Sequence, residues 1–173
     1  MQRPKPNSTE KEVTSIDLIV SKSDKDGNII YANPIFMKIS GYAQGELLDK
    51  PHSILRHPDM PKAVFKYLWD TLHAGNEVLA YVKNLCKDGS FYWVLANVKT
   101  AKNPDGSFRN YMSTRRCITD GAKSVISELY ANILKVEKED SAEASYKIFD
   151  KFLVENDITE AKAFNDFMKN LNN

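Results

Sequence analysis

The chain has 173 residues, of which 42% are hydrophobic, and its 24 Lys and Arg residues nearly balance 23 Asp and Glu residues. This length suits one domain with an appendage, and the near-zero net charge provides no general attraction to nucleic acid or an anionic membrane. No stretch approaches the ~20 apolar residues that span a bilayer, and the first residues lack the apolar core of a secretion signal. We therefore expect a cytoplasmic protein that neither binds nucleic acid nor inserts into a membrane.

The first part of the chain predicts a leader followed by a β-hairpin. Residues 1–14 are polar and are predicted to form a mobile leader. The apolar runs 16–20 and 29–31 predict two strands. Asp26 and Gly27 lie between these runs and predict a tight turn, because this pair tolerates the positive φ that such turns require.

Two helices are predicted in the middle of the chain. Asn33 followed by Pro34 is typical of a helix start, with the amide as cap and the proline in the first turn. Asp59 and Pro61 mark the start of a longer helix, for which Asp59 is the predicted cap. Its apolar positions repeat at i, i+4 and i+8, namely Val64, Leu68 and Leu72.

Three strands are predicted after the helices, over residues 77–87, 91–100 and 107–118. Asp88-Gly89 and residues 104–106 lie between them and predict two hairpin turns. Two strands, a helical middle and three further strands form an α+β pattern, because a parallel sheet would need strands and helices in strict alternation.

Both faces of the predicted sheet are apolar, as the parity of residues along the strands indicates. One face carries small residues, namely Val78, Ala80, Val82 and Ala96. These residues leave volume toward the helices, and Asn84 on the same face needs hydrogen-bond partners if it is buried. A planar ligand would supply such partners, and so would a backbone group or a water molecule. The opposite face needs a cover, either the C-terminal residues or a partner protein.

Residues 121–173 are predicted to form a C-terminal helical extension. Bulky apolar residues recur there at helical spacing, with breaks near residues 138–141 and 156–157. The pattern predicts two or three amphipathic helices that pack on another surface. The two cysteines, Cys86 and Cys117, are predicted to be reduced packing residues, and the sequence has no Cys or His cluster with metal-ligand spacing.

Several motifs of the chain resemble those of PAS domains. They are Asp-Gly-Asn-Ile-Ile-Tyr-Ala-Asn at 26–33, Ser-Gly-Tyr at 40–42, Lys-Asp-Gly at 87–89 and Tyr-Trp-Val at 92–94. A longer segment, Pro-His-Ser-Ile-Leu-Arg-His-Pro-Asp-Met-Pro-Lys-Ala at 51–63, resembles the aerotaxis-receptor subfamily more narrowly.

The resemblance implies a PAS fold over residues 15–120, with a five-stranded antiparallel sheet, a helical layer on one face and additional C-terminal helices. It also implies a sensor of redox state or oxygen that binds flavin adenine dinucleotide (FAD) non-covalently and is not an enzyme. Its implied partner is a membrane chemoreceptor or another signalling protein, and a homodimer is a further possibility.

The resemblance also implies a set of cofactor-binding positions. They fall here on Asn33, Arg56, His57, Asp59, Phe65 and Asn84. A tryptophan usual in the FAD-binding members falls on Val78, which would weaken binding or enlarge the pocket. Arg115 occupies the last-strand position that points at the redox edge of the ring in flavin-binding PAS folds. A guanidinium there favours an anionic reduced flavin by Coulomb attraction.

Each charged residue of this set also has a structural interpretation. Arg56 can pair with Asp59 instead of a phosphate, and His57 can be a solvated loop histidine. Arg115 and Arg116 can form surface ion pairs.

Other functions remain open alongside flavin binding. Haem would need an axial histidine, with His57 as the first candidate and His52 or His73 as weaker ones. A ligand-free interaction module would have a filled pocket. A flavin oxidoreductase would need a nicotinamide site, and the sequence contains no G-x-G-x-x-G loop.

Overall fold

The computed structural model describes residues 3–173, in which five strands form one antiparallel sheet. The strands are β1 (Ile19–Ser23), β2 (Ile29–Ala32), β3 (Val78–Leu85), β4 (Phe91–Lys102) and β5 (Phe108–Arg116). Their order across the sheet is β2-β1-β5-β4-β3, so β2 and β3 are the edge strands. The predicted α+β architecture with a five-stranded antiparallel sheet is confirmed.

The helices lie between the strand pairs and after the last strand. They are α1 (Pro34–Ser40), α2 (Gln44–Leu47), a 3₁₀ helix (His52–Leu55), α3 (Lys62–His73), α4 (Asp120–Glu139), α5 (Ala142–Glu155) and α6 (Ala161–Leu171). Within residues 3–173, none of these helices combines the length and the apolar character needed to cross a bilayer.

The first strand begins later than the sequence predicts. Residues 16–20 were the expected strand, but the chain makes a local turn in which Thr14 donates its backbone N–H and its hydroxyl to the Asp17 carboxylate. This turn leaves Ile16 91% exposed, and the strand starts only at Ile19. The apolar run overlaps the strand only at Ile19 and Val20, because side-chain bonding to the backbone displaced the start of the strand.

The register of the sheet places the small residues of one face in cross-strand rows. Arg115 of β5 lies opposite Ala96 of β4, and Ser113 lies opposite Val98. Ser21 of β1 lies opposite Ser113 on the other side of β5. Because directly opposed residues share a face, this register brings a guanidinium and two hydroxyls to the side of the sheet that faces the helices.

The outer face of the sheet is covered in part by α4 and α6. The Tyr130 ring of α4 lies 6.2 Å from the ring of Trp93, and its hydroxyl donates to the carbonyl of Tyr81 over 2.9 Å. The Tyr81 hydroxyl donates in turn to the carbonyl of Met168 in α6 over 2.8 Å. Of the two predicted covers, the C-terminal helices are thus the one observed.

One edge of the sheet, at β3, is also closed by the C-terminal helices. The Asn165 side chain accepts from the N–H of Leu79 over 2.7 Å and donates to the carbonyl of Glu77 over 2.9 Å. The amide therefore bonds as a neighbouring strand would, and it satisfies backbone groups that otherwise attract other chains. Next to this edge, Tyr67 of α3 packs on Phe149 and Phe164.

The N-terminal segment is held against the β3–β4 hairpin, where the composition predicted a mobile leader. Backbone hydrogen bonds join Asn7 to Gly89, and both Thr9 and Lys11 to Phe91. Gly89 has a left-handed φ of +84°, and the carbonyl of Lys5 lies where a Cβ would project. The first part of β4 pairs with β3 on one side, and its other side, which β5 does not reach, accepts this segment. Local polarity does not reveal this long-range pairing. Met1 and Gln2 of the predicted leader lie outside the described residues.

Candidate functional site

A cavity of about 300 Å³ lies between the sheet and the helical layer. The sheet contributes Ser21, Ser23, Val82, Asn84, Ala96, Val98, Tyr111, Ser113 and Arg115 to its wall. The connecting segments and α3 contribute Asp26, Gly27, Pro51, His52, Ser53, Arg56, Phe65, Leu68, Trp69 and Leu72. The volume lies at the lower end of the ~300–1,000 Å³ that is usual for ligand pockets.

Three polar atoms form a triangle in the cavity wall. Nη2 of Arg115 lies 2.9 Å from the Ser21 hydroxyl and 2.8 Å from Nε2 of His52. The third side, from the Ser21 hydroxyl to His52 Nε2, measures 3.0 Å. Since a guanidinium only donates, its two Nη2 hydrogens serve the hydroxyl and the imidazole, and His52 Nε2 must be the unprotonated nitrogen of a neutral ring.

Phe36 of α1 holds this triangle from one side. Its ring stacks on the His52 ring at 5.9 Å and an interplanar angle of 10°. The Arg115 guanidinium lies 5.2 Å from the same ring, within the range of a cation–π contact. Because Phe36 is fully buried, the triangle is fixed by packing as well as by hydrogen bonds.

The electrostatics of the triangle follow from burial of Arg115 with no counterion among the residues that the structure describes. Arg115 is only 4% exposed, its Nη1 has no hydrogen-bond partner among the described residues, and burial lowers the pKa of the guanidinium. Burial, and next the charge of Arg115, lower the pKa of His52 to about 3. The Ser113 hydroxyl is likewise buried without a partner in residues 3–173. An acceptor in the cavity would satisfy both groups, and a negatively charged one would also compensate Arg115.

A second polar group of the wall is built by Arg56, Phe65 and Asn84. The Arg56 guanidinium lies 3.8 Å from the centre of the Phe65 ring, and its buried Nε has no partner within residues 3–173. The backbone of Arg56 forms an isolated β-bridge with Asn84, which places the amide beside the guanidinium segment. Four of the eight predicted site positions, these three and Arg115, therefore line one cavity.

The other four predicted positions do not line the cavity. Asn33 caps α1, as predicted from the Asn-Pro pair, and is engaged on three backbone groups. His57 packs edge-on against Phe91 at 5.7 Å. Val78 is fully buried at the start of β3, opposite Val98.

Asp59 does not cap the long helix, and that prediction is wrong. Helix α3 starts after Pro61, which offers no side-chain cap. The Asp59 carboxylate instead accepts from Lys83 of β3 over 2.7 Å and lies 3.4 Å from His57. The strand that passes beside this segment supplies a stronger, charged donor, which local spacing does not reveal. Arg56, once a candidate partner of Asp59, packs on Phe65.

The three histidines named as haem ligands occupy different environments. Only His52 of this group lines the cavity, and its Nε2 is engaged by Arg115. His57 lies outside the cavity wall, and burial followed by the charge of Lys83 lowers its pKa to about 4. His73 is exposed at the end of α3, where it stacks on Trp69 at 5.8 Å.

Sequence reasoning did not assign Ser21 and Ser113 to the site, and it assigned His52 only to a haem alternative. It also left out four other polar residues of the wall, namely Ser23, Asp26, Ser53 and Tyr111. Ser113 could have been found, because it shares the parity of Arg115 along β5. Ser21 and His52 join the site through the pairing of β1 with β5 and through the position of the 3₁₀ helix. No local pattern encodes that pairing.

Replacing Asn33 with alanine is expected to lower the free energy of unfolding by about 2 kcal/mol. The substitution removes acceptors for the N–H groups of Val20 and Phe36 and a donor to the carbonyl of Leu18. Urea unfolding measures the loss. Asn33→Asp retains the acceptors and should keep more than half of the stability, whereas an unchanged midpoint for Asn33→Ala would show that the cap is unimportant.

A five-stranded antiparallel sheet in this strand order, with a cavity beneath its helical layer, defines an α+β domain with an internal cavity. The PAS fold family matches residues 29–115, and the chain belongs to that family. The resemblance to PAS domains is thereby confirmed, and the similarity to an aerotaxis receptor that follows agrees with the narrower resemblance.

Curated relatives show the same similarity. Over 112 residues the chain is 40% identical to the aerotaxis receptor of Escherichia coli (strain K12). The aligned region covers 65% of this chain and 22% of that receptor. It is 29% identical over 107 residues to a nitrogen fixation regulatory protein of Klebsiella oxytoca, covering 62% of this chain and 22% of the relative. The chain thus spans about a fifth of the length of these relatives.

Solved structures share the fold. A light-oxygen-voltage domain studied with a flavin analogue superposes with a TM-score of 0.56 at 24% identity, over 64% of this chain and 84% of that one. The light-state structure of the blue-light photoreceptor aureochrome1 LOV superposes with a TM-score of 0.55 at 19% identity, over 66% and 88%. At these identities the likeness concerns the fold alone.

Proposed function

We propose that this chain is a cytoplasmic PAS sensor that binds FAD non-covalently in the cavity and reports redox state or oxygen to a membrane chemoreceptor or another signalling protein. The observation that carries the proposal is the buried guanidinium of Arg115 in the cavity wall, with Nη1 free of partners among the described residues. A ring that gains negative charge on reduction would provide the missing counterion.

The residues of the cavity suit the ring of a flavin in shape and in hydrogen bonding. Val82 and Ala96 provide small apolar surface, while Asn84 and Ser113 offer groups that donate and accept along an edge. Phe65 offers an aromatic face. The cofactor supplies the electron chemistry, and this chain supplies binding, orientation and a positive charge beside it.

The positions of the two cysteines argue against a light sensor that forms a flavin–cysteine bond, and are compatible with a redox sensor. Neither cysteine lines the cavity: Cys86 is buried with its thiol directed to the carbonyl of Ile39, and Cys117 follows β5. Burial raises the pKa of the Cys86 thiol, which makes it a poor nucleophile. We therefore do not expect a covalent adduct on illumination.

The proposed signal leaves through the outer face of the sheet. We propose that residues 15–120 act as the sensory domain and residues 121–173 as the element that responds. Tyr81 connects the two, since its carbonyl accepts from Tyr130 of α4 and its hydroxyl donates to α6. A change of charge in the cavity that shifts β3 or β4 would alter these hydrogen bonds. The size of the shift is limited by the difference in the cofactor's binding free energy between the two conformations.

An absorption spectrum of freshly purified protein, before and after dithionite, tests the proposal. The paired visible bands of an oxidised flavin, bleached by the reductant, are the expected result, and chromatography of the released cofactor distinguishes FAD from shorter flavins. A Soret band would instead identify haem as the bound cofactor. A colourless protein that takes up no added FAD would support the interpretation as a ligand-free interaction module. Steady NAD(P)H consumption would support the interpretation as a flavin oxidoreductase.

A further inference from the structure

The triangle of Arg115, His52 and Ser21 is compatible with two hydrogen-bond arrangements. In the one observed, Arg115 Nη2 occupies the lone pair of His52 Nε2 over 2.8 Å, so the imidazole must be neutral. If the guanidinium moved away, the same Nε2 could carry a proton, and its N–H group could donate a hydrogen bond to the Ser21 hydroxyl oxygen, which is 3.0 Å distant. The two arrangements differ in the position of Arg115 and in one proton.

The charges around His52 determine which arrangement is favoured. Arg115 and Tyr111 face the cavity from β5 and Arg56 from the segment before α3, and Tyr92 of β4 acts electrostatically on Arg115. Among the described residues that line the cavity, Asp26 in the β1–β2 turn provides the only carboxylate. His52 is therefore surrounded mainly by positive and neutral groups, and no carboxylate within residues 3–173 contacts Arg115 to draw it away from the imidazole.

We propose that negative charge on a ligand in the cavity draws the Arg115 guanidinium from His52, and that His52 Nε2 then takes up one proton, which stays on the nitrogen and forms a hydrogen bond to the Ser21 hydroxyl oxygen. His52 is thus a positioning and proton-accepting residue, which couples the charge state of the ligand to the conformation of the wall. This inference rests on the proposed function for the identity of the ligand, a flavin. The proton is transferred from hydronium or a buffer acid of the solvent, whose O–H bond breaks as the N–H bond at Nε2 forms.

Two physical effects support this coupling. Burial and the neighbouring guanidinium both oppose protonation of His52, and they lower its pKa to about 3. An anion in the cavity acts against both, since it attracts the imidazolium and separates Arg115 from it. By linkage, a ligand charge that promotes proton uptake is itself favoured at lower pH.

The position of His52 gives the rearrangement a route to the surrounding structure. Its ring stacks on Phe36 of α1, and Ser21 belongs to β1. A change in the position of Arg115 also alters the contact of its guanidinium with Phe36. The rearrangement of Arg115 and His52 therefore involves side chains from α1, the 3₁₀ helix, β1 and β5 that are in mutual contact.

The first test uses the full chain without cofactor. Ring NMR shifts of the three histidines are followed between about pH 5 and 8, the range in which an unperturbed imidazole titrates. Wild-type His52 is expected to stay neutral throughout, and Arg115→Gln is expected to move its titration upward toward that range, because the substitution removes one of the two effects that lower the His52 pKa. His52→Gln assigns the signal, and Ser21→Ala, which leaves Arg115 on the imidazole, should still show a neutral ring. A wild-type His52 that titrates like an exposed histidine would overturn the inference, whether or not Arg115→Gln folds.

The second test uses the full chain loaded with FAD at about pH 7, before and after reduction by dithionite, which is oxidised to sulfite. The His52 signal is expected to move to its protonated position on reduction, with exposed His73 as the internal reference that does not move. A His52 ring that stays neutral in both states would overturn the inference although the flavin bleaches normally. A chain that takes up no FAD is recognised by its lack of colour; that result refutes the proposed function and this redox coupling together, and the cofactor-free titration still decides whether Arg115 holds His52 neutral.

Discussion

Replacing Ala96 with tryptophan is expected to weaken FAD binding by at least about 100-fold while the chain remains folded. Ala96 lies in β4 in the cavity wall, directly across from Arg115. An indole at this position projects into the space that the ring would occupy, so ligand and side chain exclude each other. The folded chain tolerates the larger residue because the indole fills a cavity of about 300 Å³, and we expect its stability to change by no more than about 1–3 kcal/mol.

Lys99→Trp is the matched control, since it adds the same indole to the same strand at an exposed position on the opposite face. Fluorescence titration with FAD measures binding, and circular dichroism confirms that both variants are folded. Full-strength binding by Ala96→Trp would show that the flavin does not occupy this cavity. Equal loss in both variants would indicate a general effect of the indole on the sheet.

Replacing Phe164 with alanine is expected to lower the free energy of unfolding by about 3–5 kcal/mol. Phe164 of α6 is only 1% exposed, and its ring lies 4.4 Å from Tyr67 and 6.2 Å from Phe149. Truncation removes the contact that joins α3, α5 and α6 and leaves a cavity that rigid helices close only in part. Because the neighbouring Asn165 bonds the edge of β3, that edge would also become more accessible.

Urea unfolding, with tyrosine and tryptophan signals as probes, measures this loss. Val154→Ala is the control, because it truncates an apolar side chain of α5 that is 75% exposed and should change stability by less than about 0.5 kcal/mol. Equal midpoints for Phe164→Ala and the wild type would mean that the C-terminal helices do not contribute to the cooperative unit. FAD binding by Phe164→Ala should persist wherever the variant is folded, since Phe164 does not line the cavity.

Much of the fold could be predicted from local patterns. The pairs Asp26-Gly27 and Asp88-Gly89 occupy the turns that they predicted, and both glycines have positive φ. Asn33 caps α1, and strand parity separated the face toward the cavity from the face toward α4 and α6. These features depend on backbone preferences and on alternation, which act over a few residues and are therefore visible in the sequence.

The late start of β1 has a local cause, the turn between Thr14 and Asp17, but two other errors arose where distant segments compete for the same groups. Asp59 satisfies the sequence criteria for a helix cap, but Lys83 of β3 binds its carboxylate. The polar segment around Asn7 satisfies the criteria for a mobile leader, but the backbone of Gly89 and Phe91 offers unpaired groups to it. In both cases the decisive partner lies more than 20 residues away, beyond any local pattern.

The sequence by itself determined the α+β class, the turns, the cap of α1 and the parity that places Asn84 and Arg115 on the cavity face, because each depends on the intrinsic geometry of a short segment. Only the tertiary structure decided that Ser21, His52 and Arg115 meet in one triangle and that α6 closes the edge of β3. Those contacts require the pairing of β1 with β5 and the packing of helices from the end of the chain. They bring together groups separated by 31 to 94 residues, and their free energy depends on burial that no single segment possesses.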